Sequence, residues 1–365
     1  MNRNNGNRLE ILFFLACLIG ALMILATDIH PETKKKDFIF GAHFGSAGGA
    51  SASSLYDMCN SLIKMASKEM GREIRLEKFP TVDSVRQAFI KGKIDITILW
   101  PEEIIEVTKA GGEIFPWAAY TVDGKRKRAE CLWQAKSAAL KNISEITGKT
   151  LVGGEYELNV FHLISLREFL SQNGLDKPLW HVFKSFTVVP GNNSAFMSVA
   201  MGKFDFMWTN EDNKISLKIM NPTVASKLTF KFCTEKKFGR GILVFNKKKL
   251  TKTEMDFMRG YLKDADAKMA AHAKTDTAMQ QVRTYIKMAK AKIVPANDDE
   301  NAGERELFKK ARANGWLTEA EFIYAKLAKA TPGEPVVVKP DYTFCKKACP
   351  TKKDKEKCIV KCLGE

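Results

Sequence analysis

The strongest constraint on how this chain can fold is an internal echo. Asp83–Ile96 returns 110 residues later as Asn193–Phe206, with Ser84/Ser194, Gly92/Gly202, Lys93/Lys203 and Asp95/Asp205 identical. Each copy reads as a short helix, a Gly able to end it in the left-handed conformation, a two-residue turn and a buried strand. One α/β unit used twice in 365 residues implies two similar lobes. Two lobes with a cleft between them suggest a clamp for a small ligand.

Composition narrows the class. Hydrophobic residues make up 45% of the chain, which excludes global disorder. Ile11 to Ala26 is an unbroken apolar or small-residue run behind Arg3 and Arg8. As a helix it reaches about 24 Å, short of a hydrocarbon core of about 30 Å. Residues 1–27 therefore read as a secretory signal, with a retained inner-membrane anchor as the alternative. The rest is expected to be periplasmic or otherwise extracytoplasmic. The net charge of +16 is spread over helix edges and turns such as Lys34–Lys36 and Lys247–Lys249. No nucleic-acid motif accompanies it, so a solvated surface is expected and no nucleic-acid partner.

Strands alternate with helices through both copies. Strands are predicted over Phe38–Ala42, Glu73–Phe79, Ile94–Leu99, Thr150–Gly153 and Ser185–Val189. Ala129–Ala135 and Leu228–Thr234 read as strands that leave the first lobe and return to it. The expected division is 28–136 plus 229–330 for lobe I and 137–228 for lobe II, with two crossings that act as a hinge. Residues 331–365 are expected to be a linker and a Cys-rich helical-hairpin tail.

Three segments carry a family resemblance. Phe40–Ala50, the Gly-Lys-x-Asp echo and Ile146–Lys149 together resemble type II periplasmic solute-binding proteins. Within that superfamily the Gly-Ser-x-Gly-Gly loop is most similar to TAXI receptors of TRAP transporters. Phosphonate and phosphite receptors of ABC importers are second. The resemblance implies an α/β, two-lobed type II periplasmic-binding-protein fold with open mixed sheets. It further implies a monomeric receptor that delivers a small polar solute, of carboxylate, amino-acid or phosphonate type, to a TRAP or ABC permease. A membrane-anchored sensor or interaction module is the alternative.

Ligands of open α/β sheets bind beyond the carboxyl ends of the strands. That rule selects His43, Gly45, Ser46, Gly48, Gly49 and Ser51 after the first strand, and Trp100 and Glu102 after the third. In lobe II it selects Glu155 and Tyr156, then Asn192 and Asn193, then Trp208 and Glu211. The Gly loop can turn consecutive amides toward an anion at a helix amino terminus. Glu155 and Glu157 stand where related receptors present neutral groups, and with Glu211 they predict an amine on the ligand. No catalytic set, metal site or cofactor motif is recognisable, so no enzyme is expected. Cys345, Cys349, Cys358 and Cys362 have mirrored i, i+4 spacing and predict two disulfides, with a zinc site as the alternative. Cys131 and Cys233, on the two expected crossings, are further candidates to pair.

Overall fold

The computed structural model describes residues 37–43, 73–154, 158–262, 290–297 and 300–339, with single residues between them at 60, 63, 67, 274, 280, 283, 286 and 287. The expected signal segment, Gly45–Ser51, Glu155–Glu157 and the tail cysteines lie outside the described residues. The strands are β1 (Phe38–His43), β2 (Ile74–Phe79), β3 (Ile96–Leu99), β4 (Ile114–Val122), β5 (Glu130–Ala135), β6 (Lys149–Gly154), β7 (Phe183–Val189), β8 (Phe206–Asn210), β9 (Leu228–Cys233), β10 (Ile242–Asn246) and β11 (Ala291–Pro295). The helices used below are α1 (Val82–Ile90), α2 (Pro101–Lys109), α3 (Val160–Gln172), α4 (Gly191–Ala200), α5 (Asn213–Met220), α6 (Ala302–Ala313) and α7 (Trp316–Leu327).

By contacts the chain forms two units. The first takes residues up to Arg128 together with Lys237–Glu304, and the second takes Ala129–Lys236 with the residues from Arg305. The passages at 128/129 and 236/237 are joined by a third, inside α6. The expected division kept 305–330 in lobe I. Instead, α7 packs on α3: the Arg167 guanidinium lies 5.3 Å from the Trp316 ring, and its Nε is 3.4 Å from Glu319 Oε2.

The first unit holds a six-stranded mixed sheet ordered β11-β4-β10-β3-β1-β2. β1 pairs in parallel with β2 and β3, while β10 is antiparallel to both β3 and β4. Its core joins Val85, Phe89, Ile94, Leu99 and Val244, all buried. The second unit holds a five-stranded sheet ordered β7-β6-β8-β5-β9. β6, β7 and β8 are parallel, and β5 runs antiparallel to β8 and β9. One face packs Trp133, Val152, Phe196 and Met207. The other packs Trp208 under α3, with ring centres of Trp208 and Phe169 5.2 Å apart. Cys131 and Cys233, directly opposed across β5 and β9, form a disulfide.

The echo is one mechanism used twice. At the end of α1, Gly92 N–H donates to Phe89 O and Lys93 N–H to Ala88 O; at the end of α4, Gly202 and Lys203 repeat this with Val199 and Ser198. Both Gly residues are left-handed, at φ 66° and 69°. This reversal ends each helix and aims the next strand back along the sheet. The Asp that follows then pins the neighbouring parallel strand at its start. Asp95 Oδ2 accepts from Ile39 N at 2.9 Å, and Asp205 Oδ2 accepts from Thr150 N at 2.9 Å and Thr150 Oγ1 at 2.8 Å.

These pins make a graded stability prediction. The Asp95 side chain is 7% exposed and that of Asp205 is 37% exposed. Asp95→Ala should cost about 3 kcal/mol and Asp205→Ala about 1.5 kcal/mol, because a partly buried amide loses its acceptor and water replaces it more easily at the more exposed Asp205. A Cβ on Gly202 meets nothing within 4 Å, so Gly202→Ala should cost about 1 kcal/mol of purely conformational strain. Denaturant unfolding of the three variants measures the series; losses below about 0.5 kcal/mol throughout would refute the pinning role.

Candidate functional site

Each unit presents a carboxyl edge of its parallel strands, and each edge is built by its own sheet. In the first unit, β1 ends at His43, whose Nδ1 lies 3.0 Å from Phe79 O at the end of β2. β3 ends before Trp100, which caps α2; its N–H donates to Glu103 Oε2 at 2.7 Å. The half-buried Trp100 ring carries the Arg128 guanidinium 4.6 Å from its centre. His43, Trp100 and Glu102 thus share this edge, with Pro101 fixing the first turn of α2.

Glu102 does not stand on the rim as a solvated carboxylate. It is buried, and its Oε2 has no hydrogen-bond partner. Burial pushes its pKa up, against the pull of Arg128. Glu103 is raised to about 8 and Glu304 to about 7, first by burial and then by the charge of Glu102. Glu304 Oε1 accepts from Gly239 N at 2.6 Å, while the Arg128 Nε–H donates to Gly239 O at 3.0 Å. These groups hold Arg126–Arg128, Lys237–Gly239 and the start of α6 together within the first unit. Lys127 Nζ adds a hydrogen bond to Glu300 O at 2.6 Å.

In the second unit, Asn192 and Asn193 occupy the first turn of α4, directly after β7, and are half-buried there. The amino terminus of α3 follows β6 and is capped by Asn159, whose Oδ1 accepts from His162 N at 3.0 Å. Backbone donors of both helices therefore converge on one edge, the arrangement that favours an anion.

Two expected ligand residues of this unit have other work. Trp208 is buried at 1% exposure; its Nε1–H donates to Ser165 Oγ at 2.9 Å, so it belongs to the core under α3. Glu211 accepts from Ala129 N at 3.2 Å through Oε1 and binds Lys236 Nζ at 2.6 Å through Oε2. It clips the start of β5 to the end of the β9 segment. The strand-end rule misses two polar residues of this unit, Glu130 and His162, both buried. Glu130 was hidden at the head of an otherwise apolar strand. His162 lacked any ligand spacing.

Comparison with known proteins follows the same lines. Residues 44–299 match the family model described as "ABC transporter, phosphonate, periplasmic substrate-binding protein". The match falls on the second of the two groups that the sequence resembles. No curated protein matches the sequence. Among solved structures, the binding protein component of an ABC phosphonate transporter from Pseudomonas aeruginosa is 15% identical with a TM-score of 0.54, covering 81% of this chain and 97% of its own. PhnD1 from Prochlorococcus marinus in complex with methylphosphonate is 14% identical with a TM-score of 0.56, covering 75% and 98%. The alkanesulfonate-binding protein from Xanthomonas axonopodis pv. citri bound to MOPS is 13% identical with a TM-score of 0.50, covering 78% and 96%. These likenesses establish the two-lobed α/β fold.

The raised carboxyls make stability depend on pH in a direction opposite to ordinary acid denaturation. Folding favours the protonated form of a group whose folded pKa lies above its unfolded value. The contribution is complete below about 4.5 and is lost as pH rises through about 7 to 8, the folded values of Glu304 and Glu103. Melting temperature should therefore fall between pH 5 and pH 8.5. Glu304→Gln, which keeps an acceptor for Gly239 N, should flatten that slope and gain on the order of 2 kcal/mol at pH 8.5. Thermal melts across this range decide it: parallel pH profiles for wild type and variant would overturn the assignment.

Proposed function

The chain belongs to the family of periplasmic substrate-binding proteins of ABC phosphonate transporters, and on that premise we propose that it captures a small oxyanion-bearing solute and delivers it to an ABC permease. The family consists of transport receptors rather than enzymes, and it works outside the inner membrane. The family match over residues 44–299 carries the reading. The permease is accordingly of the ABC rather than the TRAP class. A monomer released from its export signal is the working form.

The chemistry of the sheet edges supports an oxyanion. The amino termini of α3 and α4 follow the adjacent strands β6 and β7 at one edge of the second unit, and the first turn of α4 offers the Asn192 and Asn193 side chains. His43 and Trp100 of the first unit, and by sequence position alone the Gly45–Ser51 stretch and Tyr156, belong to the proposed candidate set. Two structural neighbours, one in complex with methylphosphonate and one bound to MOPS, each hold a tetrahedral oxyanion on an organic stem, which supports this reading.

Calorimetry and thermal shift with methylphosphonate, phosphite, ethanesulfonate and glutamate test the reading. At least one phosphonate or sulfonate should bind with one-to-one stoichiometry and be recovered unchanged. At one hundred times Kd it should stabilise the fold by about 2.7 kcal/mol. Glutamate binding alone, or slow conversion of any ligand, would overturn the proposal.

A further inference from the structure

Four strands stand at the edges of the two sheets: β11 and β2 in the first, β7 and β9 in the second. An edge strand presents backbone donors and acceptors that a second chain can pair with, and charges or proline on the strand oppose this. β2 carries Arg75, Glu77 and Lys78, β11 carries Lys292 and Pro295, and β9 carries the exposed Lys231 near its middle. β7 has Lys184 at its second position and then Ser185-Phe186-Thr187-Val188-Val189, without a charge. A run this rich in β-branched and aromatic residues pairs with itself when its edge is open.

That edge is covered by the chain itself. Thr331-Pro332-Gly333-Glu334 has the residue order and hydrogen bond of a type II turn: Glu334 N–H donates to Thr331 O at 3.1 Å, and Gly333 takes φ 91° where a left-handed residue is required. Gly333 N–H donates onward to Val188 O at 2.7 Å. The chain then runs antiparallel to β7. Val336 N–H donates to Phe186 O at 2.7 Å, and Phe186 N–H donates to Val336 O at 3.0 Å. Exchange of both bonds marks a directly opposed ladder pair. Val337 is 59% exposed and Val338 only 5%, the alternation of a strand with one covered face. β6 already pairs with the other side of β7, so over Phe186–Val188 the edge strand becomes an interior one.

We propose that Gly333–Val338 is a strap that keeps the protein monomeric by occupying, within one chain, the edge along which β7 of a second copy would pair. The inference is independent of the solute, since no strap residue belongs to the candidate binding set. A second copy is the partner excluded, because antiparallel pairing of β7 with β7 across a two-fold satisfies both open edges at once and sets the uncharged Ser185–Val189 run against itself. The strap wins by proximity. Only Ala328, Lys329 and Ala330 separate α7 from Thr331, and α7 is itself packed in the second unit, so the strap meets its edge at a far higher effective concentration than a free partner does.

Size-exclusion chromatography with light scattering tests this on the full-length chain over a range of loading concentrations, with covalent dimers excluded on a non-reducing gel. The wild type should run as a monomer throughout. Val336→Pro removes the N–H that bonds Phe186 O and should give a species of doubled mass whose share rises with loading. Val336→Ala keeps that N–H and should stay monomeric. Adding Val188→Lys to Val336→Pro places a charge on the opened edge and should restore the monomer. A wild-type dimer, a folded Val336→Pro variant that stays monomeric, or a dimer that Val188→Lys leaves intact overturns the proposal. Amide exchange on the wild type decides the matter if Val336→Pro does not fold. The Gly333 and Val336 amides should be protected together with that of Phe186; exchange of the two at the rate of an unstructured peptide overturns the strap.

Discussion

Two hydrogen bonds that aspartate carboxylates accept from backbone N–H groups set the frame for everything else. Asp95 and Asp205 each accept from the first residues of the adjacent parallel strand, Ile39 and Thr150. Parallel strands have no hairpin to fix their register, and a slip of one residue would exchange the core and solvent faces. A carboxylate tied to the start of the neighbouring strand removes that freedom. The opposite ends of those strands, His43 and Leu99 in one unit and Gly154 and Asn210 in the other, are then held level. The candidate edges exist because their far ends are pinned.

The repeated unit was legible because its requirements are local. A left-handed residue must follow each helix, Gly meets that need, and the Asp two residues past the next Lys is close enough to reach its strand. The alternation of strand and helix also gave the mixed α/β class. Two features escaped. β4 carries Pro116 and Trp117 within a nine-residue run that shows no simple alternation, and it pairs antiparallel with strands far along the chain. The placement of α7 depends on Arg167 and Glu319 meeting inside the second unit, a pairing that no local pattern announces.

The candidate site was legible by position and not by direction. Counting residues past each strand brings His43, Trp100, Asn192 and Asn193 to the carboxyl edges. It cannot tell that Trp208 points under α3 or that Glu211 turns back to Lys236. Side chains alternate along a strand, so one residue's shift in the assumed edge changes a ligand wall into core. Glu102 shows a second limit. Its place at the start of α2 suits a carboxylate near a helix dipole, yet burial beside Glu103 and Glu304 pushes all three carboxyls toward their neutral forms. Tertiary packing, rather than sequence spacing, decides the charge of that edge.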